Sequence, residues 1–159
     1  MYKYLIILFL FYSSNLFSQE CGIIYVSVNG ATSGTAGTKT NPASLQYGFT
    51  LVNTSAKRLW LATGTYNLSS SLSLADSVII EGGFDQTTWL KSNNTPSILH
   101  RDATNPDLTN KALIGLKADG KAYFRLQDLT ITMDDAIDDE ISLYAVHLTN
   151  CSDYNITRC

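Results

Sequence analysis

The sequence has few charged residues and little proline. Lys, Arg, Asp and Glu make up 16% of its 159 residues, and the formal net charge is only −3. No basic patch is present that could neutralise phosphates, which argues against a nucleic-acid partner. Ser, Thr and Asn are abundant, a composition that suits exposed strands and turns better than helices. A chain of this length forms one domain at most.

The sequence also lacks an apolar run long enough to span a bilayer. The run at residues 5–12 is short, and a small-residue stretch ending at Ser18 follows it. This pattern predicts a secretory signal peptide over residues 1–18, with no membrane span after its removal. The mature chain is then secreted or held at the outer cell surface. A membrane anchor and a lipoprotein modified at Cys21 are the alternatives, the second weakened because Glu20 stands where a small residue is needed.

Cysteine is scarce and odd in number. Export places the chain in an oxidising compartment, where disulfides persist. Cys21, Cys151 and Cys159 leave at least one thiol unpaired, and the spacing of the last two matches no zinc-site pattern. The sequence does not choose among their pairings.

Most of the chain shows the apolar period of two that is typical of strands. The segments are short, and Asn, Asp, Gly or Ser bounds each of them. Such a series predicts an all-β sandwich, barrel or solenoid. The segments are residues 22–30, 58–66, 71–84, 96–102, 111–118, 123–133 and 142–150.

One segment predicts a helix instead. Asn41 is a suitable N-cap and Pro42 suits the first helical position. Leu45, Phe49 and Val52 then fall on one helical face. A short helix with a single apolar stripe must pack on another element, and the exposed first turn of a stacked coil needs such a cap.

An internal repeat favours the solenoid over the sandwich. Residues 126–132 (LQDLTIT) match residues 151–157 (CSDYNIT) at an offset of 25, with the Asp, the Ile and the last Thr in common. Fixed periods of 20 to 50 residues mark repeat architectures. This alignment stacks Ile156 on Ile131, with the apolar positions of both segments facing a shared core.

The order of several segments resembles the N-terminal part of secreted bacterial parallel β-helix proteins of the pectate-lyase-like kind. These segments are IYVSVNG, a Gly/Thr loop, NPASLQYGF, LWLATGTYNL, SVIIEGGFDQTTW and FRLQDLTI. In that family a first strand leads to a capping helix, then to strands ending in GTY-like and GGF turns, then to repeating rungs. The resemblance covers residues 23–156. It implies a right-handed, single-stranded parallel β-helix with a short N-terminal capping helix, all-β in class, and a Gly82-Gly83 corner that a Cβ would block.

The family implies a fold but no single activity, because the same coil serves lyases, hydrolases and adhesins. Its members run for many rungs, so we expect residues 19–159 to be the cap and first rungs of a longer domain. We predict a non-catalytic adhesin, stalk or carbohydrate-binding scaffold whose partner is a polysaccharide or cell-surface glycan. The alternative is the N-terminal part of a polysaccharide lyase or glycoside hydrolase with catalytic rungs beyond residue 159.

Five carboxylates cluster in residues 133–140. Ca²⁺ takes six to eight oxygen ligands, and family members that cleave acidic polysaccharides hold it with Asp and Glu on the outside of the coil. EF-hand spacing is absent here, so we predict a solvated acidic loop, with a Ca²⁺ site as the alternative. The candidate ligands are Asp134, Asp135, Asp138, Asp139 and Glu140.

No catalytic residue is assigned from the sequence, since no nucleophile elbow or triad spacing occurs. His100, Arg101 and Asp102 are adjacent; on a strand the first and third share a face while Arg101 points to the other. A lyase would need such a base beside Ca²⁺, but nothing places Arg101 near the acidic loop, so we predict a polar strand end. His147 is predicted to be a structural or surface histidine.

Aromatic side chains are candidates for stacking on sugar rings. Trp60 alternates with Leu59 and Leu61, so it faces away from them. Trp89 follows the GGFD turn and is the aromatic best placed for exposure, which makes it the ligand-binding candidate. Packing over the first rungs is nevertheless the favoured interpretation of these aromatics.

Overall fold

A computed structural model describes residues 22–92 and 94–159 as a parallel β-solenoid of about four turns. The predicted all-β parallel β-helix is confirmed, whereas the predicted signal peptide and Cys21 lie outside the described residues. No helix in the described ranges is long and apolar enough to cross a membrane. The elements are β1 (Ile23–Ala31), α1 (Leu45–Thr50), β2 (Arg58–Ala62), β3 (Gly64–Leu68), β4 (Leu72–Ser73), β5 (Ile79–Phe84), β6 (Ser97–Arg101), β7 (Ala112–Asp119), β8 (Arg125–Gln127), β9 (Leu129–Met133), β10 (Ser142–Thr149) and β11 (Asn155–Thr157).

The strands form three parallel sheets, which are the faces of the coil. Sheet I has the order β1-β2-β5-β8-β11, sheet II the order β3-β6-β9 and sheet III the order β4-β7-β10. Strands that follow each other within a turn lie in different sheets, so every ladder joins neighbouring turns. Each turn therefore buries its apolar face only against the turns above and below it.

Stacked aliphatic side chains fill the interior. On sheet I, Leu59 pairs with Ile80, which pairs with Leu126, and all three are fully buried. Burying one such side chain stabilises a fold by about 1.5–3 kcal/mol. The residues next to them along each strand face outward, as the period of two predicted. Trp60, the neighbour of Leu59, is one of these outward-facing residues.

The capping helix is confirmed, but it begins later than predicted. Ser44 is the N-cap, and its Oγ accepts a hydrogen bond from the backbone N–H of Tyr47 at 3.3 Å. Pro42 lies in the preceding turn, where its carbonyl accepts from Ala31 N–H at 2.9 Å. Leu45 is buried, and the rest of the predicted stripe packs partly buried against the same core.

The last two turns do repeat, but at an offset of 30 residues rather than 25, and the other turns differ in length. Ile156 pairs with Leu126, so the predicted stacking on Ile131 is wrong. The ring of Tyr154 lies parallel to that of Phe124, with centroids 5.2 Å apart, at the same offset.

Corners with positive φ follow the 30-residue offset too. They fall at the pairs Gly120/Asn150, Tyr123/Asp153 and Asp128/Arg158. The 25-residue alignment matched two aspartates that sit at different corners. Asp tolerates the left-handed region better than most residues, so an Asp marks a corner without showing which corner it is.

The predicted Gly82-Gly83 corner is confirmed. A Cβ on Gly82 would lie 2.4 Å from the carbonyl oxygen of Asp128 and 2.8 Å from the Cβ of Ser97. Gly83 has a φ of +81°, which L side chains rarely adopt. The register of β5 against β2 shifts at these glycines, and Phe84 still pairs with Ala62 of sheet I, while Gly82 lies against the Asp128 corner of the next turn.

Candidate functional site

Trp89 is not an exposed ligand-binding aromatic. Its side chain is only 3% exposed, and its ring meets Tyr25 edge-on with centroids 4.7 Å apart. The indole Nε1 donates to the carbonyl of Lys39 at 3.2 Å. The Asp85 carboxylate accepts two backbone N–H groups of the following turn, which folds the loop back onto the coil. The expected exposure is therefore wrong, and the packing interpretation is confirmed.

The carboxylates of the acidic loop separate into different contacts. Asp134 accepts from Ala103 N–H at 3.2 Å and lies 3.4 Å from Nε2 of His100, while Glu140 pairs with Lys111. Across residues 22–92 and 94–159, no group of three or more His, Cys, Asp or Glu side chains is arranged to hold a metal ion. The loop residues thus do not fit the oxygen cage that Ca²⁺ needs. The other three carboxylates, Asp135, Asp138 and Asp139, are exposed.

Arg101 enters the interior on the face opposite to His100 as predicted, but its Nη1 donates to the carboxylate of Asp102 at 3.2 Å, so it does not point away from Asp102. Its guanidinium donates to the carbonyls of Ile114 at 3.1 Å, Leu68 at 3.3 Å and Asn105 at 3.0 Å. Burial lowers the pKa of the Arg101 side chain, an effect that the neighbouring carboxylate of Asp102 opposes. The side chain holds the loop after β6 to the coil and is not available to a ligand.

A second charged group, here called the corner cluster, consists of Lys91, Asp128 and Arg158. It borders a cleft of about 210 Å³ beside the glycine corner. Asp128 accepts from Lys91 Nζ and from Nε and Nη2 of Arg158. These bonds, the Arg158 bond foremost, hold the pKa of Asp128 well below its usual range. Both cations are already directed at one carboxylate, which leaves little in the cleft to recognise a ligand.

A larger depression lies on the outer surface of sheet III, with a volume of about 400 Å³. We call it the sheet III groove. Ligand sites are typically clefts of 300–1,000 Å³ with a few convergent polar groups. The groove is lined by Asp107, Asn110, Ala112, Ile114, Lys117, Ala118, Asp119, Tyr144, His147 and Thr149.

Two neighbouring strands supply the floor of the groove. In the β7–β10 ladder, Tyr144 pairs with Ile114 and His147 pairs with Lys117. Tyr144 is 40% exposed, and its ring meets the His147 ring edge-on, with centroids 5.0 Å apart. A Cβ on Gly115 would lie only 2.7 Å from the backbone of β10, so glycine permits the close approach of the two strands here.

The loop before β7 forms one wall of the groove. Its Asp107 accepts from the backbone N–H groups of Thr109 and Asn110 at 3.1 and 3.0 Å, and from the Asn110 side chain at 2.8 Å. These hydrogen bonds, the side-chain bond first, lower the pKa of Asp107, as does Lys117 more weakly. The wall thus carries a fixed negative charge.

The polar groups on the floor of the groove are unpaired within the described part of the chain. Lys117, Asp119 and His147 make no side-chain hydrogen bond there, and neither does the hydroxyl of Tyr144. This distinguishes the groove from the corner cluster, whose charges satisfy one another. The groove therefore combines an exposed ring with donors and acceptors that are available to a ligand.

Sequence reasoning missed this site. His147 was predicted to be a structural or surface residue, and it is exposed, but Tyr144 was not singled out. Strict alternation puts these two residues on opposite faces of a strand, yet both line the groove. The LYAVH segment carried no signal of this shared exposure.

Comparisons with known proteins assign no relative. No family model, curated protein or solved structure matches the chain.

Proposed function

We propose that this protein is an exported, non-catalytic β-helix scaffold that binds carbohydrate in the sheet III groove. The carrying observation is the exposed ring of Tyr144 beside unpaired polar side chains. The C–H-bearing face of a sugar ring packs on an aromatic face, while nearby polar groups bond its hydroxyls, so such a site needs both features. Export is supported by the sequence pattern of residues 1–18.

The scaffold suits recognition of an extended polymer. Ladder pairing on both sides of β7 fixes its backbone, since β4 and β10 flank it in sheet III. Groups held on strands lose little conformational freedom on binding, which favours affinity. An adhesin or surface stalk could use such a face to hold a glycan without altering it.

Affinity electrophoresis of the full chain in gels that contain soluble polysaccharides tests the proposal. The panel is dextran, mannan, xylan and hydroxyethylcellulose, each with its carboxymethylated form. We expect retardation by at least one polymer, and Tyr144→Ala to weaken it about tenfold, because roughly 1.4 kcal/mol of ring packing is lost. Tyr123→Ala is the matched control, since Tyr123 is exposed but lies outside the groove.

Two results would overturn the proposal. One is the absence of retardation by every polymer in the panel. The other is retardation that Tyr144→Ala leaves unchanged, which would place binding elsewhere. Release of new reducing ends from a bound polymer would instead support the lyase or glycosidase alternative, and it is measured on the same samples.

A further inference from the structure

The sheet III groove carries more negative than positive charge. Two carboxylates, Asp107 and Asp119, line it together with one ammonium, that of Lys117. The ammonium already acts on Asp107, whose pKa it helps to lower. A ligand bearing its own carboxylates or sulfates would therefore meet net repulsion, because like charges a few ångströms apart cost energy even near a protein surface.

Polar side chains cross the face of sheet III in a row along the coil axis. Ser73 pairs with Lys117, which pairs with His147, so the three residues occupy successive strands. Adjacent strands are about 4.8 Å apart. The row presents groups that bond hydroxyls at regular intervals, and the exposed ring of Tyr144 lies beside it.

The carboxylate of Asp119 is suited to a sugar diol. It is exposed, and in the described ranges it accepts no side-chain hydrogen bond. An ionised carboxylate accepts at both oxygens, and hydrogen bonds to it are about twice as strong as neutral ones. Two adjacent hydroxyls of an uncharged sugar match this acceptor, whereas a uronate offers it another negative charge.

We propose that the groove selects uncharged polysaccharide and excludes uronate and sulfated chains. A sugar ring packs on Tyr144, and its neighbours along the direction of the strands bond Lys117 and Asp119 through their hydroxyls, since these two residues lie three and five positions beyond Ile114, the ladder partner of Tyr144. This inference rests on the proposed carbohydrate-binding function and adds the class of ligand to it.

The test compares each neutral polymer with the carboxymethylated form of the same backbone, in which carboxymethyl ethers replace some hydroxyls; the salt dependence and the Asp119 variant then separate the effect of charge from the loss of hydroxyls. For the backbone that binds, we expect the carboxymethylated form to bind about tenfold more weakly, or 1.4 kcal/mol less favourably. The difference in affinity between the neutral and the carboxymethylated polymer should become smaller in 0.5 M NaCl, because salt screens exposed charges. Asp119→Asn removes one negative charge and keeps the side-chain shape. It should weaken binding of the neutral polymer and strengthen binding of the carboxymethylated polymer.

The control is Asp153→Asn, which removes an equal charge from an exposed corner outside the groove. It should leave both affinities unchanged. Equal or tighter binding of the carboxymethylated form, still dependent on Tyr144, would overturn the charge selection and leave the proposed function standing. Absence of binding by both forms of every backbone would overturn the proposed function, and this inference with it.

Discussion

At the scale of single residues, the charged side chains fall into two groups. Arg101 and Asp128 are held by several partners each, and they fasten loops to the coil. Lys117 and Asp119 have no side-chain hydrogen bond within residues 22–92 and 94–159, and they line the groove. A charged group that several side chains already bond has fewer positions left for a ligand, which is why the groove rather than the corner cluster is the candidate site.

Replacing Arg101 by Met should destabilise the protein strongly. The side chain is fully buried, and its loss removes a donor from carbonyls of three separate segments, of which that of Leu68 keeps the backbone N–H of Asp102. We expect the free energy of unfolding in urea to fall by about 3 kcal/mol. Arg125→Met is the control, since Arg125 is exposed and should change stability by less than about 0.5 kcal/mol. Equal effects of both variants would contradict the assigned role.

Replacing Asp128 by Asn should make stability less dependent on pH. The pKa of Asp128 is lower in the folded state than in the unfolded one, so its contribution is fully present above about pH 4 and declines as the pH falls below that. Asn also tolerates the positive φ of this corner. The difference in unfolding free energy between wild type and variant should be greatest at pH 7 and smaller at pH 3. A constant difference would show that the ion pairs contribute nothing.

The candidate site could be predicted from the sequence only in part. The alternation of side chains along a strand correctly predicted that Arg101 and His100 lie on opposite faces, because this alternation depends only on adjacent residues. The burial of Trp89 depends on a carbonyl fifty positions away in sequence, Lys39, and no local pattern encodes that contact. Tyr144 and His147 both line the groove, although the alternation of strand faces predicts that they point to opposite sides.

At the scale of elements, the strands and the helix follow from local chemistry. The period of two identified the strands, and the stripe on α1 identified the cap. The helix begins after Ser44 rather than Asn41 because Ala43 still forms a bridge with Val26 of β1. A tertiary contact thus overrides a good local N-cap.

The corners of the coil should differ in their tolerance of side chains. Gly82→Ala should lower the free energy of unfolding by about 2 kcal/mol, because its Cβ would overlap the backbone of the next turn. Gly120→Asn should cost less than about 0.5 kcal/mol, since the space there is open and the equivalent corner already holds Asn150 at a φ of +52°. Urea denaturation of both variants measures the two losses in unfolding free energy. A larger loss for Gly120→Asn than for Gly82→Ala would contradict the surroundings described for these two glycines.

At the scale of the whole molecule, burial depends on the neighbouring turn. Leu113 and Leu126 are almost fully buried, whereas their ladder partners on the last described turn, Leu143 and Ile156, are 44% and 42% exposed. A leucine at a given position in a turn is thus buried or exposed according to whether another turn covers it.

The fold class could be predicted from the sequence because three local signals agree: the apolar period of two in the strands, the apolar stripe of the capping helix and the glycines at the corners. The number of residues in a turn could not be predicted, because inserted loops change it from one turn to the next. Polar residues that suit corners also recur by chance, so they align at false offsets.

Engineered disulfides separate the 30-residue register from the 25-residue one. With the three native cysteines replaced by serine, Gln127→Cys and Thr157→Cys should cross-link on mild oxidation, because the two residues pair in adjacent parallel strands. Such Cα atoms lie about 4.8 Å apart, within the range a disulfide spans. Thr132→Cys with Thr157→Cys, the pair that the shorter offset aligns, should stay reduced because Thr132 lies in a different sheet. Mass spectrometry of peptides under non-reducing conditions reads both outcomes. A cross-link in the second pair alone would mean that the last turn stacks in the shorter register, and that the ring of Tyr154 does not lie on Phe124.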